Sequence, residues 1–162
     1  MHDATVVEAQ MLPLRVRPLA VLTARLDPPQ KLGHTPEGDR KIVPVAGGTV
    51  TGQRLSGTIL PFGGDWAVTR PDGVLTLDVR LTIRTPDDAL VHCSYTGMRH
   101  GPEAVMARLA AGKPVDPEEY YFRILPRFET AHPEYLWLNR LLAVGIGERL
   151  AAGPRYHLYE VL

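Results

Sequence analysis

The chain has 162 residues, with 18 Lys and Arg against 18 Asp and Glu, for a formal net charge of +0. That length matches one domain at about 150 residues each, and the charge balance argues against a nucleic-acid or membrane-surface binder, which carries a basic excess. A hydrophobic fraction of 44% with 22% charged residues excludes a disordered chain, and proline or charge interrupts every apolar run before the roughly 18 residues a membrane helix needs.

Residues 1–13 are weakly patterned and are expected to form a loose arm or an edge strand. Residues 14–26 read as a first strand, with Pro18 placing its start at an edge or bend. Residues 27–38 read as a loop, and 40–45 as a second strand. Gly47-Gly48 supplies a turn or bulge, and Gly52 and Gly57 are spaced like barrel bends over 49–60. Pro61 to Trp66 breaks the strand, leaving Gly64-Asp65-Trp66 at a glycine-relieved bend. Pro71-Asp72-Gly73 is a turn in which proline fixes φ, aspartate bonds its local backbone and glycine accepts positive φ.

Residues 74–84 give the clearest alternation, with Leu75, Leu77, Val79, Leu81 and Ile83 on one face. Residues 90–96 are the expected hairpin partner across Pro86-Asp87-Asp88, with Val91, Cys93 and Tyr95 on one side. One helix is expected over 102–111, opened by Pro102 and Glu103, stopped by Gly112 and Pro114, with Val105, Met106 and Leu109 as its apolar face. Strands resume at 120–125, 127–130, 136–146 and 156–161. Many short strands with one short helix predict a single all-β domain over 1–162. A closed or nearly closed antiparallel barrel is preferred because closure removes exposed edges.

The chemistry-bearing motifs are mostly absences. There is no phosphate loop and no dinucleotide fingerprint, because no helix follows Gly47 to Gly52. The six histidines show no metal-motif spacing, and Ser56 and Ser94 lie in no nucleophile elbow. No cofactor and no metal are expected. The single Cys93 precludes an intrachain disulfide, reads as a buried thiol and fits cytoplasmic residence. Met1 to Thr5 shows no charged region leading into an apolar run, so no signal peptide is read.

What remains is a set of polar and aromatic residues on strands. If their polar face points into a barrel, Arg80 and Arg123 bind an anionic or carbonyl oxygen, with Asp65, Asp78 or Glu129 pairing with them or acting as a base. Trp66, Tyr121 and Trp137 then pack an organic ring, with Asn139 beside them. The other reading puts Asp78 and Arg80 on a solvated face with Thr76, Thr82 and Arg84. That is the default for a sheet with one wet face, and the pattern alone favours it.

At these residues the chain resembles the group called domain of unknown function 3237, or uncharacterised protein family 0311. The signposts run in order: Arg40, Pro44, Gly47-Gly48, Gly52, Leu55-Ser56-Gly57, Leu60 to Trp66, Arg70 to Gly73, Leu77 to Arg80, Tyr120 to Arg123, Phe128 to Thr130, Tyr135 to Asn139 and Gly145 to Arg149. Each is weak and the ordered series is specific. The resemblance implies a single-domain, calycin-like β-barrel and little about activity. Family members often read Asn-Arg-Gly near the position of Tyr95-Thr96-Gly97; here that asparagine and arginine are replaced, and Arg99 follows two residues on. A barrel gives Asp78 and Arg80 an inward direction, and a small barrel holds one small ligand.

Three functions are therefore weighed. The first is a pocket for a modest organic acid or an aromatic, polyketide-like compound, with Trp66, Asp78, Arg80, Tyr121, Arg123, Trp137 and Asn139 as ligand contacts. The second is a cofactor-free isomerase, cyclase or lyase in the same pocket, with Asp65 or Glu129 as base. The third is an assembly protein whose aromatic residues meet at a subunit interface. The expected partner is a small molecule, with no nucleic acid or membrane, and a homo-oligomer is left open.

Overall fold

A computed structural model describes residues 8 and 10–162. The arm or edge strand expected at 1–13 therefore falls largely outside the described residues. Ten strands follow: β1 (Val16–Leu26), β2 (Gln30–Thr35), β3 (Gly38–Thr51), β4 (Gly57–Ile59), β5 (Gly63–Thr69), β6 (Leu75–Arg84), β7 (Leu90–His100), β8 (Tyr121–Glu129), β9 (Leu142–Arg149) and β10 (Pro154–Val161). Eight of them close an antiparallel barrel in the order β1-β10-β9-β8-β7-β6-β5-β3 and back to β1. The remaining two lie outside the ring, β2 against β3 and β4 bridging β3 and β6. Closure leaves the ring itself without an open edge, and β2 is a free edge outside it.

The alternation on β6 survives intact. Leu75, Leu77, Val79, Leu81 and Ile83 are buried, whereas Thr76, Asp78, Arg80, Thr82 and Arg84 alternate with them on the outer face. The inner set continues across β7 as Val91, Cys93 and Tyr95, and across β8 as Phe122, Ile124 and Phe128. Helix α1 (Glu103–Ala110) follows β7, with Val105 buried and Met106 and Leu109 packed on the core. No described helix is long and apolar enough to cross a membrane.

Four expectations need correction. Residues 27–38 are not all loop: β2 pairs with β3. Its residues face solvent on both sides, so no alternation betrays it. Asp65-Trp66 is not at a bend but inside β5; the break falls at Pro61-Phe62, with Phe62 at φ 79. The run at 136–146 is not one strand. Residues 133–140 form a 3₁₀ helix opened by Pro133 and capped where the Glu134 N–H donates to His132 Nδ1 over 3.3 Å, and β9 starts only at Leu142. The two pieces at 120–125 and 127–130 are one strand, β8. Pro126 is tolerated within it because β8 pairs with β9 only at Arg123 and Ile124, so proline's missing N–H falls beyond that ladder.

One glycine is required sterically. A Cβ on Gly147 of β9 would lie 2.6 Å from Phe122 Cγ, so its absence lets that ring lie flat against the inner wall.

Candidate functional site

A buried apolar cluster occupies the barrel interior, which opens at one end into a cavity of about 380 Å³. Its apolar wall includes Val43, Val45, Leu77, Val79 and Phe122. The rim is built by Leu26 at the end of β1 with Asp27 to Pro29 beyond it, and by Ala151 and Ala152 between β9 and β10 with Pro154 at the start of β10. The volume lies in the usual range for small-molecule sites, roughly 300–1,000 Å³.

Into this cavity project Lys41, Asp65, Tyr95, Arg99, Arg149 and Tyr156. Strand parity accounts for most of them. Lys41, Val43 and Val45 are alternate residues of β3, so the lysine continues an apolar inner face to the rim. Asp65 sits opposite Val43 and Lys41 opposite Ala67, which makes the two residues diagonal neighbours on adjacent strands, their backbones about 7–8 Å apart by ladder geometry and their side chains on one face. Arg99 lies opposite Leu75 and Phe122, both inward residues. Its guanidinium carbon is 5.5 Å from the Phe122 ring centroid.

Burial dominates the electrostatics. It pushes the Asp65 carboxyl up to about 6, against the opposing pull of the Asp78 N–H bond and the Lys41 charge. Burial also lowers Lys41, helped by Arg99 and Arg149 and opposed by Asp65. Arg99 is lowered by burial and then by Arg149, but a guanidinium stays protonated at any working pH. Tyr95 and Tyr156 are raised by burial and so remain neutral phenols.

Two polar atoms in this cluster are buried without a close hydrogen-bond partner, Arg99 Nε and the Tyr156 hydroxyl, the latter facing the Tyr95 side chain. Such atoms are uncommon in folded proteins unless a water or ligand meets them. Both belong to residues lining the same cavity. Arg149 is better satisfied: its Nη1 donates to the Leu150 carbonyl at 2.6 Å and its backbone N–H to the Tyr120 hydroxyl at 2.8 Å. No cluster of metal ligands occurs among the described residues.

The sequence-derived candidates divide sharply. Asp65 lines the cavity. Asp78, Arg80, Trp66, Tyr121, Arg123 and Glu129 lie on the outer face, alternating with the buried residues of their strands. The inward direction given to Asp78 and Arg80 is therefore corrected to the solvated face that the alternation itself favours. The aromatic–arginine pairings do form, but outside: Arg80 stands 5.5 Å from the Trp66 ring and Arg123 5.0 Å from Tyr121. Arg80 also lies 3.7 Å from Asp78. Trp137 stacks under Arg54 at 4.7 Å, away from the cavity. Asn139 clamps a loop, accepting from the Thr130 N–H at 2.9 Å and donating to its carbonyl at 2.8 Å.

A closed β-barrel with a charged cavity in one mouth is the class that this fold and site define. The chain belongs to the family described as protein of unknown function, DUF3237, whose model matches residues 14–161. A UPF0311 protein of Rhodopseudomonas palustris is 38% identical over 149 residues, covering 92% of this chain and 97% of that one. A crystal structure from that organism, of a conserved protein of unknown function, superposes with a TM-score of 0.88 at 37% identity, covering 94% of this chain and 100% of its own. A beta-barrel-like protein from Acinetobacter baumannii gives 0.82 at 39% identity, covering 94% and 99%. A structure described as an enzyme from Penicillium herquei gives 0.73 at 17% identity, covering 94% and 98%; at that identity it shows the shared fold alone.

Proposed function

We propose that the protein holds a small organic acid or carbonyl compound in the barrel cavity and moves a proton on it through Asp65. The observation that carries this reading is the cavity-facing Asp65 carboxyl, whose burial sets its pKa at about 6. A carboxyl near neutrality is partly ionised under ordinary conditions, so it both accepts and returns a proton, which is the property general acid–base catalysis needs.

The neighbouring groups support the same chemistry. Proton removal beside a carbonyl leaves negative charge on oxygen, and the cationic Arg99 and the Tyr156 hydroxyl offer unpartnered donors for it. Such a step needs no cofactor, and isomerases, cyclases and lyases all use it. The Penicillium herquei protein, described as an enzyme, lends the fold a precedent for catalysis without naming a reaction. Cys93 has no part in it, since burial pushes its thiol up to about 12; a lone reduced thiol accords with cytoplasmic residence.

Native mass spectrometry of gently purified protein, followed by denaturation and identification of released compounds, tests binding. We expect an oxygen-bearing small molecule retained by the wild type and by Asp65→Asn, and lost from Arg99→Met. Retention unaffected by Arg99→Met would count against the cavity as its place.

A further inference from the structure

Lys41 is left over from the proton-transfer reading. It lines the cavity wall above Val43 and Val45, and among the described residues it makes no ion pair within 4.0 Å. The charged groups acting on it are Asp65 from β5, Arg99 from β7, Arg149 from β9 and Lys31 from β2. Apolar walls and cationic neighbours both disfavour its ammonium form, so its amine is more available at neutral pH than an ordinary lysine's. A desolvated lysine beside other cations is the arrangement that makes an amine nucleophilic toward carbonyls.

We propose that Lys41 forms a Schiff base with a small carbonyl compound bearing an anionic group, a 2-oxo or 3-oxo acid, seated on Arg99. The Lys41 Nζ lone pair forms a bond to the carbonyl carbon while the carbonyl π pair moves onto oxygen. Asp65 takes one proton from the nitrogen and returns it to that oxygen, giving a neutral carbinolamine. A second proton, from solvent, lets the hydroxyl leave as water while the nitrogen lone pair closes the C=N bond, and an iminium remains. Arg99 Nε, buried and unpartnered, receives the acid group. The iminium then serves as an electron sink for proton removal or decarboxylation at the adjacent carbon. This goes beyond Asp65 general-base chemistry but rests on the same cavity being the ligand site.

The chain offers its own controls, because its only other lysines are Lys31 and Lys113, both exposed. The folded protein is incubated at neutral pH with pyruvate and sodium cyanoborohydride, whose hydride reduces an iminium to a stable secondary amine. Adducts are then located by peptide mass mapping. We expect adduct on Lys41 in severalfold excess over Lys31 and Lys113. Lys41→Arg, which keeps charge and bulk, should abolish that excess while leaving the far-ultraviolet circular dichroism unchanged. With propionaldehyde, which lacks the carboxylate, the excess should fall.

Equal labelling of the three lysines overturns the proposal. An excess that is the same for propionaldehyde overturns the anionic substrate class. If Lys41 stays unlabelled while Asp65-dependent proton exchange persists in Lys41→Arg, the Schiff base fails and the proton-transfer reading stands. If neither labelling nor retained ligand is seen, both readings fall with the cavity.

Discussion

The main-chain N–H of Asp78 donates to Oδ1 of Asp65 over 3.0 Å, and among the described residues the Asp65 side chain makes no other hydrogen bond. A carboxyl inside a barrel wall is thus tethered to β6 by one main-chain donor. One neutral donor is too little to offset burial, which is why the carboxyl rises rather than falls.

That imbalance makes stability depend on pH. The folded carboxyl titrates near 6 against an ordinary 3.8, so between those values the native state holds a proton the unfolded chain has lost. Its contribution is best below about 3.8, falls as pH rises to about 6, and stays low above. Asp65→Asn removes the penalty and keeps an oxygen to accept from Asp78. Urea unfolding should show the variant more stable than wild type by about 1–3 kcal/mol at pH 8, with the difference shrinking toward pH 4. An equal difference at both pH values would mean Asp65 is not held near neutrality.

The outer-face residues should be inert. Arg80→Ala, Arg123→Ala and Glu129→Gln each alter an exposed or half-exposed group whose neighbours are in solvent. Each should change stability by no more than about 0.5 kcal/mol and leave ligand retention in native mass spectra unchanged. Loss of ligand from any of the three would relocate the site to the barrel's exterior.

Asn139 should matter to the fold alone. Asn139→Ala removes both hydrogen bonds to the Thr130 backbone, and Thr130 also ties β8 to β7 through its hydroxyl, which donates to the Leu90 carbonyl at 2.8 Å. A loss of about 1–2 kcal/mol is expected in chemical denaturation, with the Asp65 titration unmoved.

Gly147→Ala tests the cavity wall. The added methyl meets the Phe122 ring, and Phe122 lines the cavity, so the ring must shift or the strand must move. A cost of about 1–3 kcal/mol is expected, together with loss of the retained compound. Retention at wild-type level would show that the ligand does not reach Phe122.

Most of the barrel was legible in the sequence, because β6 and β7 alternate cleanly and turn chemistry marks their ends. The exposed β2 was not, since a strand wet on both faces leaves no period. The site was legible only at Asp65. The polar residues that attract attention, Arg80 and Arg123, sit on the faces opposite their strands' buried residues. The ones that line the cavity hide at the ends of apolar faces. Carrying the parity of Val91, Cys93 and Tyr95 two steps further reaches Arg99, and running back from Val45 and Val43 reaches Lys41. Arg99 stands out beside Tyr95-Thr96-Gly97, but ending the expected strand at Thr96 hides its inward direction. Arg149 obeys the same parity, two residues beyond the inward-facing Ala143, Gly145 and Gly147 of β9, but that face carries small residues, so no apolar run points to it.

Solvent deuterium exchange reads the role of Asp65 in proton transfer. Wild type and Asp65→Asn are incubated in deuterium oxide with a panel of small oxo acids, pyruvate and acetoacetate among them, and the carbon-bound protons beside the carbonyl are followed by proton nuclear magnetic resonance. Enzyme-dependent exchange is expected with at least one panel member, rising with pH through about 6 as Asp65 ionises and lost in Asp65→Asn. Exchange that continues undiminished in Asp65→Asn, or a bound oxo acid that never exchanges in the wild type, would contradict that role.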